Sequence, residues 1–164
     1  MEILRRNDCL PVSYCHEIIG LYSGLMTPAA VGEGKKKTYR SGRKALSYEM
    51  KSSMQLNAYT TGLAKLCATE PLVPMKPMHC DLICYQEGDG FVRHRDASRK
   101  LFTCIYFLND SYEGGELCFD IGHEFKDMPA GSAVIWRNTP DSSHWVNEVT
   151  KGQRYVLAHW LEAL

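Results

Sequence analysis

Residues Phe91–Asp120 read FVRHRDASRKLFTCIYFLNDSYEGGELCFD, and the rhythm of that stretch decides the fold. Three short runs, Phe91–Asp96, Leu101–Asn109 and Gly115–Asp120, carry the aromatic and β-branched residues that suit strands. Turn formers separate them at Asn109-Asp110 and Glu113-Gly114-Gly115. Side chains on a strand alternate with a period of two, so Thr103, Ile105 and Phe107 share one face of the middle run. Working outward, the same pattern gives strands near His79–Gln86, Ser132–Arg137, His144–Asn147 and Arg154–Leu161. Their turns fall at Glu87-Gly88-Asp89-Gly90, Pro129-Ala130-Gly131 and Lys151-Gly152.

The first 70 residues read differently. Pro11–Ser23 spaces Val12, Ile18, Ile19 and Tyr22 as a helix does and closes on Gly24 and Pro28. Glu49–Ala68 advances by three or four through Met50, Met54, Ala58, Thr61, Ala64 and Ala68. Pro71, Pro74 and Pro77 then forbid helix and mark the change to strands. Seven or eight short strands after two helices predict a mainly β chain with flanking helices (α+β). Its expected form is a jelly roll with the N-terminal helices packed on one sheet. One domain over residues 1–164 is expected, with helical support over 1–70 and a β core over 78–162.

Bulk properties exclude several classes. Lys+Arg and Asp+Glu balance at 19 each, so no global field draws the chain to nucleic acid or to an anionic membrane. The opening residues Met1–Asp8 lack the apolar run of a secretory leader, and no stretch is long enough to span a bilayer. Seven cysteines, Cys9, Cys15, Cys67, Cys80, Cys84, Cys104 and Cys118, have no CxxC spacing and read as free thiols of a reducing, cytoplasmic setting. Between the helices lies Val31–Lys44, with Gly32, Gly34 and Gly42 and six basic residues. Two readings apply to it: a solvated surface loop or a lid over a substrate.

The chemistry concentrates in the second half. His94 and Asp96, two residues apart on a strand, point to the same side. His144 arrives far along the chain on another strand. Two imidazoles and one carboxylate on one face of a metal leave the opposite face open, as a non-haem Fe(II) oxygenase requires. Arg154 follows ten residues later and shares a face with Val156, Ala158 and Trp160. If these faces look inward, a dicarboxylate can lie with one end on the metal and the other between Arg154, Tyr85 and Thr103, since a guanidinium fork binds a carboxylate through two parallel hydrogen bonds. Ile83, Ile105 and Val156 would exclude water there. His16, His79, His123 and His159 read as surface or hydrogen-bonded histidines, with His159 pointing away from the barrel. Trp160 reads as core. Trp136 and Trp145 either line a groove or cover the sheet. Gly114 and Gly115 read as hairpin glycines.

These residues also carry a family resemblance. Tyr85, His94-x-Asp96, Thr103-x-Ile105-Tyr106-Phe107-Leu108-Asn109, Gly114-Gly115-Glu116-Leu117, Pro129-x-Gly131, His144-x-Val146, Gly152-x-Arg154 and Trp160 resemble, in that order, the Fe(II)/2-oxoglutarate dioxygenase superfamily, most closely its prolyl 4-hydroxylase-like branch. The resemblance spans roughly Met78–Leu161. It implies a double-stranded β-helix, Fe(II) held by His94, Asp96 and His144, 2-oxoglutarate anchored by Arg154 with Tyr85 and Thr103, and O2 as oxidant, with ascorbate as a candidate reductant. No residue beyond the metal ligands is assigned a catalytic role. The chain departs from collagen-type members, which carry lysine where it has Arg154, and from oxygen-sensing members, which carry tyrosine where it has Phe107.

The implied reaction is hydroxylation of an unactivated C–H, foremost of a prolyl or other residue in a peptide or protein, with release of succinate and CO2. A free amino acid or other small molecule is the alternative substrate, and a non-catalytic cupin-like binder the remote one. Trp160 stands where nucleic-acid demethylases of the superfamily carry arginine, and Asp96 stands where halogenases carry a small residue. Neither nucleic acid nor membrane is an expected partner, and a monomer or small homo-oligomer is.

Overall fold

The computed structural model describes residues 1–29 and 42–164. Its strands, in chain order, are β1 (Ile3–Arg6), β2 (Thr27–Pro28), β3 (Arg43–Lys44), β4 (Leu46–Met50), β5 (Met75–Tyr85), β6 (Gly90–His94) and β7 (Lys100–Phe107). They continue as β8 (Tyr112–Gly114), β9 (Leu117–Phe119), β10 (Glu124–Phe125), β11 (Ala133–Arg137), β12 (His144–Val146), β13 (Val149–Gly152) and β14 (Arg154–Ala163). Two helices, α1 (Val12–Tyr22) and α2 (Met54–Cys67), precede β5. The larger sheet runs β1-β11-β7-β14-β5-β4-β2 and the smaller runs β10-β9-β12-β6-β3, with β13 and β8 paired apart from both. The two sheets face each other as the jelly roll of a double-stranded β-helix.

The larger sheet is buried on both faces, and period-two alternation sorts its residues between them. Cys80, Leu82, Phe102, Cys104, Tyr106, Leu157 and Leu161 pack against Cys15 and Ile18 of α1 and Leu56, Leu63, Ala64 and Cys67 of α2. Their neighbours Ile83, Tyr85, Phe107, Trp136, Val156 and Ala158 face the smaller sheet and meet Leu117, Phe119 and Val146.

The first predicted helix stands. The second starts later than its periodicity suggested. Glu49 and Met50 belong to β4, where Glu49 lies opposite Asp81 and Met50 opposite Cys80. The alternation of Leu46, Tyr48 and Met50 is a strand signal overlaid on the helical one. The helix begins after Ser53, whose hydroxyl accepts a hydrogen bond from the Leu56 amide at 3.1 Å as an N-cap should. Pro77 is tolerated within β5 because it lies opposite Leu161 of β14 and beyond the stretch that β4 pairs, so its other edge needs no donor.

Two family-like glycines have steric causes. A Cβ on Gly131, at φ +84°, would stand 2.2 Å from the Leu10 carbonyl oxygen, whose own backbone is tied to Gly131 O. Gly114 and Gly115 do not close a hairpin, because β8 pairs with β13 while β9 pairs with β12. Instead Gly115 makes room for a side chain: a Cβ there would lie 2.8 Å from Arg154 Cδ.

Candidate metal and co-substrate site

Between the sheets is a cavity of about 760 Å³, within the range of small-molecule sites. Tyr85, His94, Asp96, Thr103, His144 and Arg154 all line it, so the structure brings together every residue that the sequence singled out. Ile83, Ile105, Leu117, Val146 and Val156 supply its apolar wall.

His94 and His144 sit opposite each other on β6 and β12, with ring centroids 4.3 Å apart. Each ring is fixed by the same local device. His94 Nδ1 lies 2.8 Å from the Val92 carbonyl and His144 Nδ1 lies 2.9 Å from that of Ser142. A carbonyl can only accept, so both Nδ1 atoms carry the hydrogen and both Nε2 atoms keep a lone pair. Phe91 stacks on His94 and Trp136 stands edge-on to His144. Burial pushes the His94 imidazole down to about 4 and also lowers His144, so both are neutral at physiological pH, the form that binds metal.

Asp96 lies just past the end of β6 rather than on it. Burial opposes its ionisation, yet Lys100, His144, the Thr103 hydroxyl and His94 together hold its carboxyl below the usual range. Lys100 Nζ is 3.5 Å from Asp96 Oδ1 and 3.7 Å from the Trp160 ring centroid. Two neutral imidazoles and an ionised carboxylate, on one cavity wall, are a donor set suited to a divalent transition metal.

Arg154 stands at the far end of the cavity. It is 1% exposed, and its Cζ lies 5.2 Å from the Tyr85 ring and 5.1 Å from the Phe107 ring. Its Nε and Nη1 are buried and have no hydrogen-bond partner among the described residues. A buried guanidinium with two open donors fits a carboxylate, and the surrounding apolar wall strengthens that pairing by keeping water away. The residues present therefore fit both a metal and a dicarboxylate co-substrate.

The sequence reading needs correction or completion at four points. Thr103 is not at the Arg154 end. It faces Trp160 across β14, six residues from Arg154 and so about 20 Å along the strand. Its hydroxyl donates to Asp96 Oδ2 at 2.6 Å, which places it at the metal-ligand end. Tyr112, which no spacing pointed to, makes a side-chain hydrogen bond with Arg154, and burial pushes its hydroxyl pKa up. The two undecided tryptophans divide: Trp136 lines the cavity, while Trp145 lies in a shallow depression on the outside of the smaller sheet. Trp160, read as core, is 6% exposed and also forms part of the cavity wall.

The other histidines follow their expectations. His16 and His123 are exposed. His159 turns to the helix side, and His79 lies at the rim, 3.7 Å from Glu49 Oε2 and 3.8 Å from Asp81 Oδ1. Of the suggested lid, residues 31–41 lie outside the described residues, and Arg43–Lys44 pair with β6.

Comparison with known proteins agrees with this geometry. Residues 80–162 match the model of the 2OG-Fe(II) oxygenase superfamily, and the chain belongs to that superfamily. It is 29% identical over 164 residues to a PKHD-type hydroxylase of Psychrobacter sp. (strain PRwf-1), a match covering 91% of this chain and 61% of the relative. The chain thus spans about three fifths of that relative's length. Among solved structures, a viral collagen prolyl hydroxylase from Paramecium Bursaria Chlorella virus-1 superposes with a TM-score of 0.75 at 13% identity, covering 100% of this chain and 97% of that one. A prolyl hydroxylase from Trichoplax adhaerens, in complex with a hypoxia inducible factor peptide fragment, gives 0.74 at 16% identity over 98% of this chain and 83% of that one.

Proposed function

We propose that this chain is an Fe(II)- and 2-oxoglutarate-dependent dioxygenase that hydroxylates an unactivated C–H, foremost in a prolyl or other residue of a peptide or protein. The observation that carries the reading is the polarity of one cavity. Two imidazoles with free Nε2 atoms and a carboxylate stand at one end, and a buried guanidinium with two open donors stands at the other.

In this reading His94, Asp96 and His144 hold Fe(II), and Arg154 binds the distal carboxylate of 2-oxoglutarate beside Tyr85. Bound there, the iron with 2-oxoglutarate and O2 supplies the oxidising power for hydroxylation, the co-substrate leaving as succinate and CO2, with ascorbate the candidate reductant. The protein's own work is positional. The backbone carbonyls of Val92 and Ser142 fix the imidazole tautomers, Tyr85 and Phe107 hold the Arg154 plane, and the apolar wall excludes water. A peptide substrate is supported by the Trichoplax enzyme, whose structure holds a peptide fragment. A cytoplasmic setting is supported by the seven cysteines, all free and buried. One domain, as monomer or small homo-oligomer, completes the reading.

A second reading, a free amino acid or other small polar substrate, has one observation in its favour. The cavity rim is charged: Glu49, His79 and Asp81 bring three ligand-type atoms within 4.8 Å of one another, and Arg43 and Lys100 share the cavity. The test is incubation with Fe(II), 2-oxoglutarate and O2 against proline-containing peptides and free amino acids, followed by mass spectrometry. A peptide product heavier by one oxygen, with succinate formed in step, is the expected result. Oxygen gain on free amino acids alone moves the assignment to the second reading. Succinate formation that persists in Asp96→Ala overturns both.

A further inference from the structure

Asp96 terminates a run of three hydrogen bonds. The Trp136 indole N–H donates to Asn138 Oδ1 at 3.0 Å, Asn138 Nδ2 donates to Thr103 Oγ1 at 2.8 Å, and the Thr103 hydroxyl donates to Asp96 Oδ2 at 2.6 Å. The two ends fix the direction of every proton. An indole nitrogen can only donate and an ionised carboxylate can only accept. The side-chain amide between them must turn its oxygen to Trp136 and its NH2 to Thr103, and the single hydroxyl hydrogen of Thr103 must go to Asp96.

The run is also held rigidly. Trp136 is 0% exposed and Thr103 2% exposed, and the backbone N–H of Asn138 is tied to the Leu101 carbonyl at 2.8 Å. Trp136 meets the second imidazole as well, its ring edge-on to His144 with centroids 4.8 Å apart. One buried indole therefore touches His144 directly and reaches Asp96 through two side chains.

We propose that Asn138 and Thr103 are positioning residues that make Asp96 a one-oxygen ligand, with Oδ2 held by Thr103 and Oδ1, which faces the Lys100 ammonium at 3.5 Å, offered to the metal. This rests on the metal-site reading above. Locking one oxygen prevents the carboxylate from rotating to bind through both, which would take a coordination position that the co-substrate or dioxygen needs. It also removes Thr103 from the co-substrate contacts, since its only hydrogen is already directed to Asp96. Partners of this kind behind a metal ligand commonly contribute a factor of roughly 10–100 in metal affinity.

Cobalt(II) is a suitable probe because its visible absorption reports the ligand field independently of turnover. Cobalt affinity and absorption would be measured by titration for the wild-type protein, Thr103→Val, Thr103→Ser, Asn138→Ala and the Thr103→Val/Asn138→Ala pair, with thermal unfolding of each metal-free protein alongside. Thr103→Val is expected to weaken cobalt binding by roughly 10–100-fold and to shift its absorption band. Thr103→Ser, which keeps the hydroxyl, restores both. Asn138→Ala has a smaller effect in the same direction, and the double variant is no weaker than Thr103→Val alone, because Asn138 acts through Thr103. Wild-type cobalt affinity and spectrum in Thr103→Val, with only 2-oxoglutarate binding weakened, overturns the proposal and leaves the metal site standing. Should Thr103→Val fail to fold, an unshifted band and unchanged affinity in Asn138→Ala overturn it equally. Cobalt uptake unaffected by His94→Ala sinks the metal-site reading, and the proposal with it.

Discussion

The two faces of β14 bury polar groups in opposite ways. On the helix side, His159 is fully buried, yet both ring nitrogens are engaged. Nδ1 lies 2.7 Å from the Thr60 hydroxyl and Nε2 lies 3.3 Å from the Met78 carbonyl. Because that carbonyl accepts from Nε2, Thr60 donates to Nδ1, and the Tyr106 hydroxyl, 2.7 Å from Thr60, completes the network. On the cavity side of the same strand, Arg154 is just as buried and keeps two donors without a partner among the described residues. A buried polar group normally finds its partner within the protein. The closed network on one face is a feature of packing; the open donors on the other are a feature of binding.

The sharpest test of that contrast is loss of a proposed metal ligand. His94→Ala, Asp96→Ala or His144→Ala should each reduce 2-oxoglutarate turnover to background, measured as succinate release, with the helix-side network and overall fold unchanged by circular dichroism. Retained turnover in any of the three would break the assignment of the cavity face.

Arg154 comes next. Arg154→Ala should weaken 2-oxoglutarate binding by about 3–5 kcal/mol, or roughly 10²–10⁴-fold, because a carboxylate would be left unpaired in a poorly hydrated cavity. Arg154→Met should lose binding similarly while leaving the unliganded protein at least as stable, since it removes a buried charge that has two donors unmet. Calorimetric titration and thermal unfolding check the pair. A marked fall in stability for Arg154→Met would mean that the guanidinium is part of the packing.

His159→Phe should do the reverse. Leaving the buried Thr60 hydroxyl without its acceptor should cost roughly 1–3 kcal/mol of folding stability and leave metal and 2-oxoglutarate affinities close to wild type. Denaturant unfolding and calorimetry separate these outcomes.

The smallest expected effect is a pH dependence. Burial pushes the His159 imidazole down to about 4 in the folded chain, against about 6.5 in an unfolded one. The unfolded state therefore binds the proton first, and stability falls as pH drops from about 6.5 toward 4. Between pH 7 and 5.5 this group alone should remove about 1 kcal/mol. His159→Gln should flatten that part of the stability profile, and an unchanged slope would show that the imidazole is not held neutral.

Much of this arrangement is legible in the amino-acid sequence alone. Alternation along His79–Gln86, Leu101–Asn109 and Arg154–Leu161 assigns each residue to a face, and Arg154, Tyr85 and Ile83 do line the cavity while His159 turns away from it. The pattern is ambiguous where two periodicities overlap, as at Glu49 and Met50, which pair with Asp81 and Cys80 in a strand.

What the sequence determined by itself is the first helix, the main strands from His79 onward and the sharing of faces along them, because these follow from local backbone geometry: helical spacing in one, a period of two in the others. Which distant residues meet was decided only by the tertiary structure. Thr103 was on the right face at the wrong end of the cavity, since position along the barrel is set by sheet register, through its pairing with Trp160. Tyr112 reaches Arg154 because β8 pairs with β13 rather than with β9. Trp136 and Trp145 each stand two residues before an asparagine, and the packing of two sheets sent one inside and one outside. Register and sheet order arise from contacts summed over the whole chain, and no short window of sequence contains them.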